Sequence, residues 1–323
     1  MKIPRTRIQL FAVLVSSLIP GLAPAQNFPS RPIHVIVPNP PGGGLDIMAR
    51  LVAPKASEGL GAPVVVENRP GGDGIVGSEF VAHAPPDGYT LITASASSHT
   101  ANYFRFKKLP YDPIKDFTAV VGAVESITCV AVSSALPIAS IGELIDYAKR
   151  NPGKLSYGST GATGAYTISA EAFKAVTGSD ILHVPYKGFG PVMTALVSGE
   201  IGVTFTSITT AMPQAKAGKV RILGVMEGRR YSAMPDIPTV GETVRGFRGV
   251  TIWNGFMGPA GMPAPVVSRL NAELLKALQA PDTRAKLDAT EVIGGTPQEF
   301  SAYVKAELDN FARLVKLLGL KPE

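Results

Sequence analysis

The chain contains 323 residues, 45% of them hydrophobic and 17% charged, which is enough to bury the cores of two lobes. Its formal net charge is +6, but the leader that contains Lys2, Arg5 and Arg7 contributes three of these charges. The remaining Lys and Arg are scattered, which excludes the basic stripe of a nucleic-acid-binding protein. Cys129 is the only cysteine, so no intramolecular disulfide can form.

Residues 1–25 have the features of an export signal. The apolar stretch Ile8–Leu22 follows the basic start, and Ala23–Ala25 provides the small-x-small pattern that signal peptidase cleaves. Cleavage after Ala25 would release an exported, soluble mature chain. A retained membrane anchor is the alternative, but serine, proline and glycine interrupt the apolar stretch, which is shorter than the ~20 residues of a membrane span.

The first part of the mature chain alternates short apolar runs with glycine-rich loops and helices. Its predicted strands cover residues 33–38, 63–68 and 89–95. Helices are predicted from Asp46, where Pro54 should kink or shorten the helix, and from Ile75. Continuous β-branched runs are typical of a parallel sheet covered on both faces, so the pattern predicts a doubly wound α/β lobe. A long loop is predicted over 96–112.

A second βα series follows two strand-like runs at 117–124 and 127–132. Ser140 and Glu143 have capping-box spacing and predict a helix that ends near Arg150. Further predicted strands cover residues 154–159, 181–186, 201–206, 220–226 and 250–257. A purely helical tail is predicted after them.

This order predicts two doubly wound α/β lobes joined by two crossover strands. The first lobe would contain residues 26–125 and 250–323, and the second would contain residues 126–249. Because doubly wound sheets present ligand loops at the carboxyl ends of their strands, the loops should meet in a cleft between the lobes.

The loop before the first helix is the most informative feature of the sequence. Gly42, Gly43 and Gly44 follow a strand and come just before a predicted helix at Asp46. Bare backbone N–H groups at a helix N-terminus attract anions, so this loop predicts a phosphate or carboxylate site.

Other motifs do not support catalysis or a cofactor. Gly72–Gly77 fits the dinucleotide fingerprint, but the next strand ends in Thr93–Ser95 without the acidic residue that binds a ribose. The four histidines have no metal-ligand spacing, and only His99 is expected in a cleft. We therefore predict no cofactor, no metal and no catalytic residue. An exported serine hydrolase that uses Ser98 and His99 is the alternative.

Six segments together resemble the Bug-type (TctC-like) solute-binding proteins of tripartite tricarboxylate transporters. They are Pro38–Asp46, Val65–Gly71, Ala84–Leu91, Lys108–Pro113, His183–Gly188 and Pro235–Val240. The resemblance implies a periplasmic, type II-like binding protein that closes around a small organic acid. It also implies delivery to membrane-embedded transporter subunits, and we expect a monomer. A sensory partner that presents the ligand to a signalling protein is a further alternative.

The resemblance also implies a set of ligand-binding positions in four loops. These are Asn39, Pro41, Gly42, Gly43, Gly44 and Asp46; Ser95, Ser97 and Ser98; Ser159, Thr163, Tyr166 and Thr167; and Thr206 and Ser207.

The sequence departs from the family pattern at several of these positions. Asn39 stands where an aromatic residue is common, and Gly44 and Leu45 replace a Ser/Thr pair. Thr206 and Ser207 stand where many members have Asp-Asn. With fewer side-chain donors, backbone N–H groups should carry more of the recognition. Asp46 is the only acid in the set, so we expect poor binding of cationic amines.

Overall fold

The computed structural model describes residues 28–161, 164–287 and 290–322. The strands are β1 (Ile33–Val37), β2 (Val64–Asn68), β3 (Thr90–Ser95), β4 (Phe117–Ser126), β5 (Thr128–Ser133), β6 (Leu155–Ser159), β7 (Ile181–Pro185), β8 (Val203–Ser207), β9 (Val220–Val225), β10 (Ile252–Pro259) and β11 (Thr290–Gly294). The predicted export signal and Thr163 lie outside the described residues.

The helices flank these strands. They are α1 (Gly44–Leu60), α2 (Ile75–Ala82), α3 (Asn102–Arg105), α4 (Ile141–Arg150), α5 (Ala165–Thr177), α6 (Phe189–Ser198), α7 (Ile208–Lys216), α8 (Val240–Thr243), α9 (Ala264–Gln279), α10 (Pro281–Lys286) and α11 (Pro297–Leu318). None of the helices within the described ranges is both long enough and apolar enough to cross a bilayer.

The strands form two mixed sheets, as two α/β lobes require. The six-stranded sheet has the order β11-β4-β10-β3-β1-β2, and the five-stranded sheet has the order β7-β6-β8-β5-β9. The chain passes from the first sheet to the second between β4 and β5, and it returns between β9 and β10. These two crossings confirm the predicted fold class.

The prediction of parallel pairing is only partly correct. β1 pairs in parallel with β2 and β3, but β10 is antiparallel to both β3 and β4. In the second sheet β5 is antiparallel to β8 and β9. The antiparallel pairs involve the strands next to the two crossings. Only Ile127 separates β4 from β5, and the segment between β9 and β10 contains only the four-residue helix α8.

The first helix differs from its prediction at both ends. α1 begins at Gly44, two residues before Asp46, and continues past Pro54 to Leu60. Proline removes the hydrogen bond to the carbonyl of the residue four positions earlier. For Pro54 this is the carbonyl of Arg50. Both residues lie on the exposed side of the helix, so water can solvate the carbonyl of Arg50.

Three further segments correct the sequence prediction. The predicted long loop over 96–112 contains a π-helical turn at Ser97–Ala101 and then α3. The segment after β8, for which the sequence pattern predicts no helix, forms α7, and the side chain of Ser207 caps it. The tail is not purely helical, because β11 pairs antiparallel with β4.

The last helix contributes to the cores of both lobes. Phe300 and Val304 belong to a cluster with Trp253 of β10, whereas Phe311 and Leu314 belong to the cluster of the second sheet. The ring of Phe300 fits against glycines of the sheet: a Cβ atom on Gly255 would lie 2.2 Å from its Cζ. The first half of α11 therefore buries one face in the core of the first lobe, and the second half buries one face in the core of the second.

Phe300→Ala should lower the free energy of unfolding by about 3–5 kcal/mol, because the buried ring leaves a cavity that the sheet backbone cannot fill. Urea denaturation measures this loss. Leu317→Ala on the same helix is the control, since that side chain is 44% exposed, and it should change stability by less than about 0.5 kcal/mol. Equal losses would contradict this assignment of the core.

Candidate ligand-binding site

The first half of the candidate site lies at the carboxyl ends of β1 and β3, which are neighbours in the first sheet. Ligands of doubly wound sheets bind at such strand ends. Gly74 lies between the two loops that leave these strands. A Cβ atom there would be 3.4 Å from the Cβ of Pro38 and 3.3 Å from the Cβ of Ser98. The Gly72–Gly77 segment is thus a close-packed turn beside the site.

The glycine loop presents its backbone to solvent. Gly42 has a φ of +84°, which favours glycine, whereas Gly43 is extended with φ −78° and ψ 165°. α1 begins at Gly44 without a side-chain cap, and all three glycines are exposed. The first N–H groups of a helix have no intrahelical acceptor, so they can bind an anion.

Asp46 faces the protein and braces this loop. Its side chain is 5% exposed. Its Oδ2 accepts the Gly42 N–H at 2.9 Å, and its Oδ1 accepts from Arg50 Nε at 2.9 Å and Asn68 Nδ2 at 3.0 Å. The hydrogen bond from Arg50, together with those from Gly42 and Asn68, lowers the pKa of Asp46 to about 2. The carboxylate is therefore ionised and already engaged with protein donors.

Arg50 and Asn68 complete the hydrogen-bond network of this loop, and the sequence reasoning missed both of them. The Asn68 amide donates to the carbonyl of Asn39 at 3.0 Å, and Arg50 Nη2 donates to Asn68 Oδ1 at 2.9 Å. The side chains thus join the loop, α1 and the end of β2. The spacing of Arg50 four residues after Asp46 is a sequence signal that could have identified this pair.

Ser95 and Ser98 hold the turn after β3. Their hydroxyl oxygens are 3.1 Å apart, and the Ser98 N–H donates to Ser95 Oγ at 3.3 Å. The hydroxyl of Tyr111 donates to the carbonyl of Ser98 at 2.6 Å. Both serines are buried, whereas Ser97 between them is exposed. Ser97 is therefore the residue of this trio that solvent reaches.

The expectation that His99 lies in a cleft is wrong. The imidazole is fully buried, with its ring centroid 4.5 Å from that of Phe117 and 5.8 Å from that of Tyr111. Burial lowers the pKa of His99 to about 3. The turn at Ser97–Ala101 is helical rather than an open loop, and it places the His99 ring against Phe117 and Tyr111.

The contact between Ser98 and His99 does not form a hydrolase site. Ser98 Oγ lies 2.9 Å from His99 Nδ1, but the two residues are 1% and 0% exposed. Among the described residues no hydrogen-bond partner reaches His99 Nε2, so no carboxylate orients the ring as in a catalytic triad.

The second half of the site lies at the ends of β6 and β8, which are neighbours in the second sheet. Ser159 and Thr167 are buried there, with their hydroxyl oxygens 3.0 Å apart. Thr167 also donates to the carbonyl of Gly161 at 2.6 Å, and Ser159 Oγ lies 2.6 Å from His183 Nε2. These contacts tie the loop after β6 to α5.

Tyr166, near the start of α5, and Ser207, at the end of β8, lie on the same side of the second sheet. Burial raises the pKa of Tyr166 to about 12, and the nearby Ser207 side chain opposes this rise. The Tyr166 ring makes an edge contact with Phe189, with centroids 5.2 Å apart. Ser207 also accepts the N–H of Thr210 at 3.3 Å as the cap of α7. Thr206 is fully buried beside them.

One cavity brings residues of the two lobes together. It has a volume of about 370 Å³ and is lined by Ser97 from the first lobe and by Gly164 and Ala165 at the start of α5. Arg105, which pairs with Asp73, lines it as well. The predicted residue Ser97 thus faces the N-terminus of a helix from the other lobe.

Two α/β sheets joined by two crossings, with glycine amides and hydroxyls at their strand ends, define a two-lobed solute-binding protein. The sequence model of the tripartite tricarboxylate transporter family receptor matches residues 48–320. The chain belongs to this family, which confirms the resemblance inferred from its motifs.

Two relatives illustrate the match in sequence. A protein encoded in the tcbD-tcbE intergenic region of Pseudomonas sp. strain P51 is 37% identical over 292 residues, which are 89% of this chain and 86% of that protein. BugT of Bordetella pertussis is 30% identical over 301 residues, which are 92% of each chain.

Three solved structures share the fold. MatC from Rhodopseudomonas palustris with bound malate is 32% identical, with a TM-score of 0.66 over 89% of this chain and 100% of that one. An R. palustris protein with adipate is also 32% identical, with a TM-score of 0.71 over 92% and 100%. A ligand-free solute-binding protein from Polaromonas is 25% identical, with a TM-score of 0.81 over 90% and 99%.

Asp46→Asn should lower the melting temperature near neutral pH, and the difference from the wild type should shrink as the pH falls. The folded-state pKa of about 2 lies below the ordinary value of 3.8. The stabilisation is therefore complete above the ordinary pKa and is lost as the pH falls through the folded one. Calorimetry between about pH 7 and pH 2.5 measures the difference, and a gap that widens on acidification would contradict the role of Asp46.

Proposed function

We propose that this protein is a periplasmic receptor that binds a small carboxylate between its lobes and delivers it to a tripartite tricarboxylate-type membrane transporter. The glycine loop carries the proposal, because Gly43 and Gly44 expose backbone N–H groups at the start of a 17-residue helix, while the N–H of Gly42 is bound by Asp46. Membership of the receptor family supports the transporter as the partner. Export with cleavage after Ala25 would place the chain in the periplasm as a monomer.

The proposed ligand contacts fall into two groups. The N–H groups of Gly43, Gly44 and Leu45 would bind one ligand carboxylate, and Pro41 and Asn39 would border it. Ser97, Tyr166 and Ser207 would supply hydroxyl groups from the two lobes. In contrast, the buried residues Asp46, Ser95, Ser98, Ser159 and Thr167 hydrogen-bond to other protein groups, and we propose that they position these loops. Thr163 remains a prediction.

The ligand class follows from the donors at the first loop. Backbone N–H groups favour an anion, and Asp46 cannot easily serve as a counter-ion for an amine because its oxygens accept three protein hydrogen bonds. The malate-bound and adipate-bound relatives support a dicarboxylate of four to six carbons as the first class to test.

Closure of the two lobes around the ligand is the proposed mode of action. The lobes would be residues 26–125 with 250–323, and residues 126–249. The ligand-free Polaromonas structure superposes better on this chain than the two carboxylate-bound structures, although it is the least similar in sequence. That order supports an open, ligand-free arrangement in the present structure.

A dicarboxylate that binds should raise the melting temperature, since a ligand that binds only the folded state stabilises it by mass action. At a concentration of about 100 times Kd the gain is about 2.7 kcal/mol. A thermal-shift screen of malate, succinate, adipate and aromatic acids, with the matching amides as controls, measures this effect. The proposal fails if no carboxylate shifts the transition.

Gly43→Asp should abolish carboxylate binding without unfolding the protein. The backbone at Gly43 is extended, and a Cβ atom would meet only the carbonyl oxygen of Pro40 at 3.7 Å. The added carboxylate would repel the ligand from the helix N-terminus.

Gly43→Asn is the matched control, because it has the same size without the charge. Titration calorimetry should show measurable affinity for Gly43→Asn and none for Gly43→Asp, with equal melting temperatures for the two free variants. Equal affinities would mean that the loop does not hold the anion.

A further inference from the structure

Glu227 lies beyond the carboxyl end of β9, on the side of the second sheet where the proposed site is formed. It follows the end of β9 by two residues, and the ladder extends to Met226, whose N–H donates to the carbonyl of Thr128 at 3.0 Å. β8 and β9 both run antiparallel to β5, so they are parallel to each other and their carboxyl ends lie on the same side of the sheet. Glu227 and Ser207 therefore lie at the same end of these strands.

Only one oxygen of the Glu227 carboxyl group has a protein partner. Oε1 accepts the N–H of Thr128 at 2.7 Å and its hydroxyl at 2.6 Å. Oε2 has no hydrogen-bond partner among the described residues, although Glu227 is only 3% exposed. Thr206 Oγ1, on the strand beside Cys129, is likewise buried without such a partner. Buried polar atoms are rarely left unpaired. Two such atoms at the carboxyl ends of β8 and β9 therefore indicate a site for a polar group of the ligand.

We propose that Glu227 is a ligand-binding residue that, as a neutral acid, donates a hydrogen bond from Oε2 to a second carboxylate of the ligand. This inference rests on the proposed function. The glycine loop would hold one carboxylate from the first lobe, and Glu227 would hold the other from the second. The receptor would therefore select dicarboxylates and take up a proton with them.

The surroundings of Glu227 favour its neutral form. Burial raises its pKa to about 7, although the hydrogen bonds from Thr128 favour the ionised form. The charge of Glu125 on β4 raises the pKa further. The other titratable groups that interact with it are the Cys129 thiol on β5 and the Tyr166 phenol on α5. Burial raises the pKa of both, so neither adds a charge near neutral pH.

The proposal fixes the sign of the pH dependence. Ligand carboxylates stay ionised above about pH 6, whereas Glu227 loses its proton as the pH rises through its pKa. An ionised Glu227 repels the ligand and has no hydrogen to donate. Affinity should therefore be highest below about pH 7 and should fall by up to about tenfold per pH unit above it.

Titration calorimetry with malate and adipate between about pH 6 and pH 9 tests the inference on the full mature chain. Glu227→Gln keeps an N–H donor and should bind at about pH 6 within about threefold of the wild type, with a flatter pH profile. Glu227→Ala should lose about tenfold to a hundredfold at that pH. Buffers of different ionisation enthalpy should show proton uptake near pH 8 for the wild type and less for Glu227→Gln.

Glu125→Gln is the control for a general effect of a buried acid. It should keep the steep pH profile but move it to lower pH, because Glu125 raises the pKa of Glu227. The inference is wrong if the wild type and Glu227→Gln have the same slope, or if affinity for aspartate rises with pH through an ionised Glu227. If neither probe binds the wild type at any pH, the proposed function fails with it for these ligands, whereas binding without a pH slope overturns only the role of Glu227.

Discussion

The hydrogen bonds of the Asp46 carboxylate are the interaction on which the candidate site depends. They hold Gly42 against the start of α1 and connect the loop through Arg50 and Asn68 to the end of β2. Because the carboxylate is turned inward and paired with a cation, the N–H groups of the following glycines remain available to an outside anion. An acid beside an anion site would otherwise repel the ligand. Its pairing with Arg50 removes most of that repulsion and keeps the loop in one conformation.

The two sheets are joined by elements that combine burial with polar contacts. The chain crosses between β4 and β5 and again before β10, and α11 packs its two ends into different cores. Close to the crossings, Glu125 and Glu291 face each other across β4 and β11. The hydroxyl of Tyr303 binds Glu125 at 3.0 Å, and Arg229 binds Glu291. Of these contacts, the pair of Arg229 and Glu291 joins the two proposed lobes, so relative movement of the lobes during ligand capture would have to preserve or exchange it.

The fold class and the family could be read from the sequence because both depend on repeated, local patterns. β-branched runs, glycine-rich loops and the cap at Ser140 all act within a few residues. The direction of individual side chains could not be read in this way. Asp46 faces inward because Asn68 arrives from another strand, and His99 is buried because Phe117 and Tyr111 pack on it. The sequence pattern does not predict β11, because this short segment becomes a strand only by pairing with β4.

The central claim is that the backbone N–H groups at the start of α1 hold a ligand carboxylate. A crystal structure of the complex with the most stabilising dicarboxylate tests this claim most directly. The account predicts a carboxylate oxygen about 2.7–3.1 Å from the N–H nitrogens of Gly43, Gly44 or Leu45, with the Asp46 hydrogen bonds unchanged. A ligand bound elsewhere, or a carboxylate held by side chains with the glycine N–H groups still facing water, would contradict it.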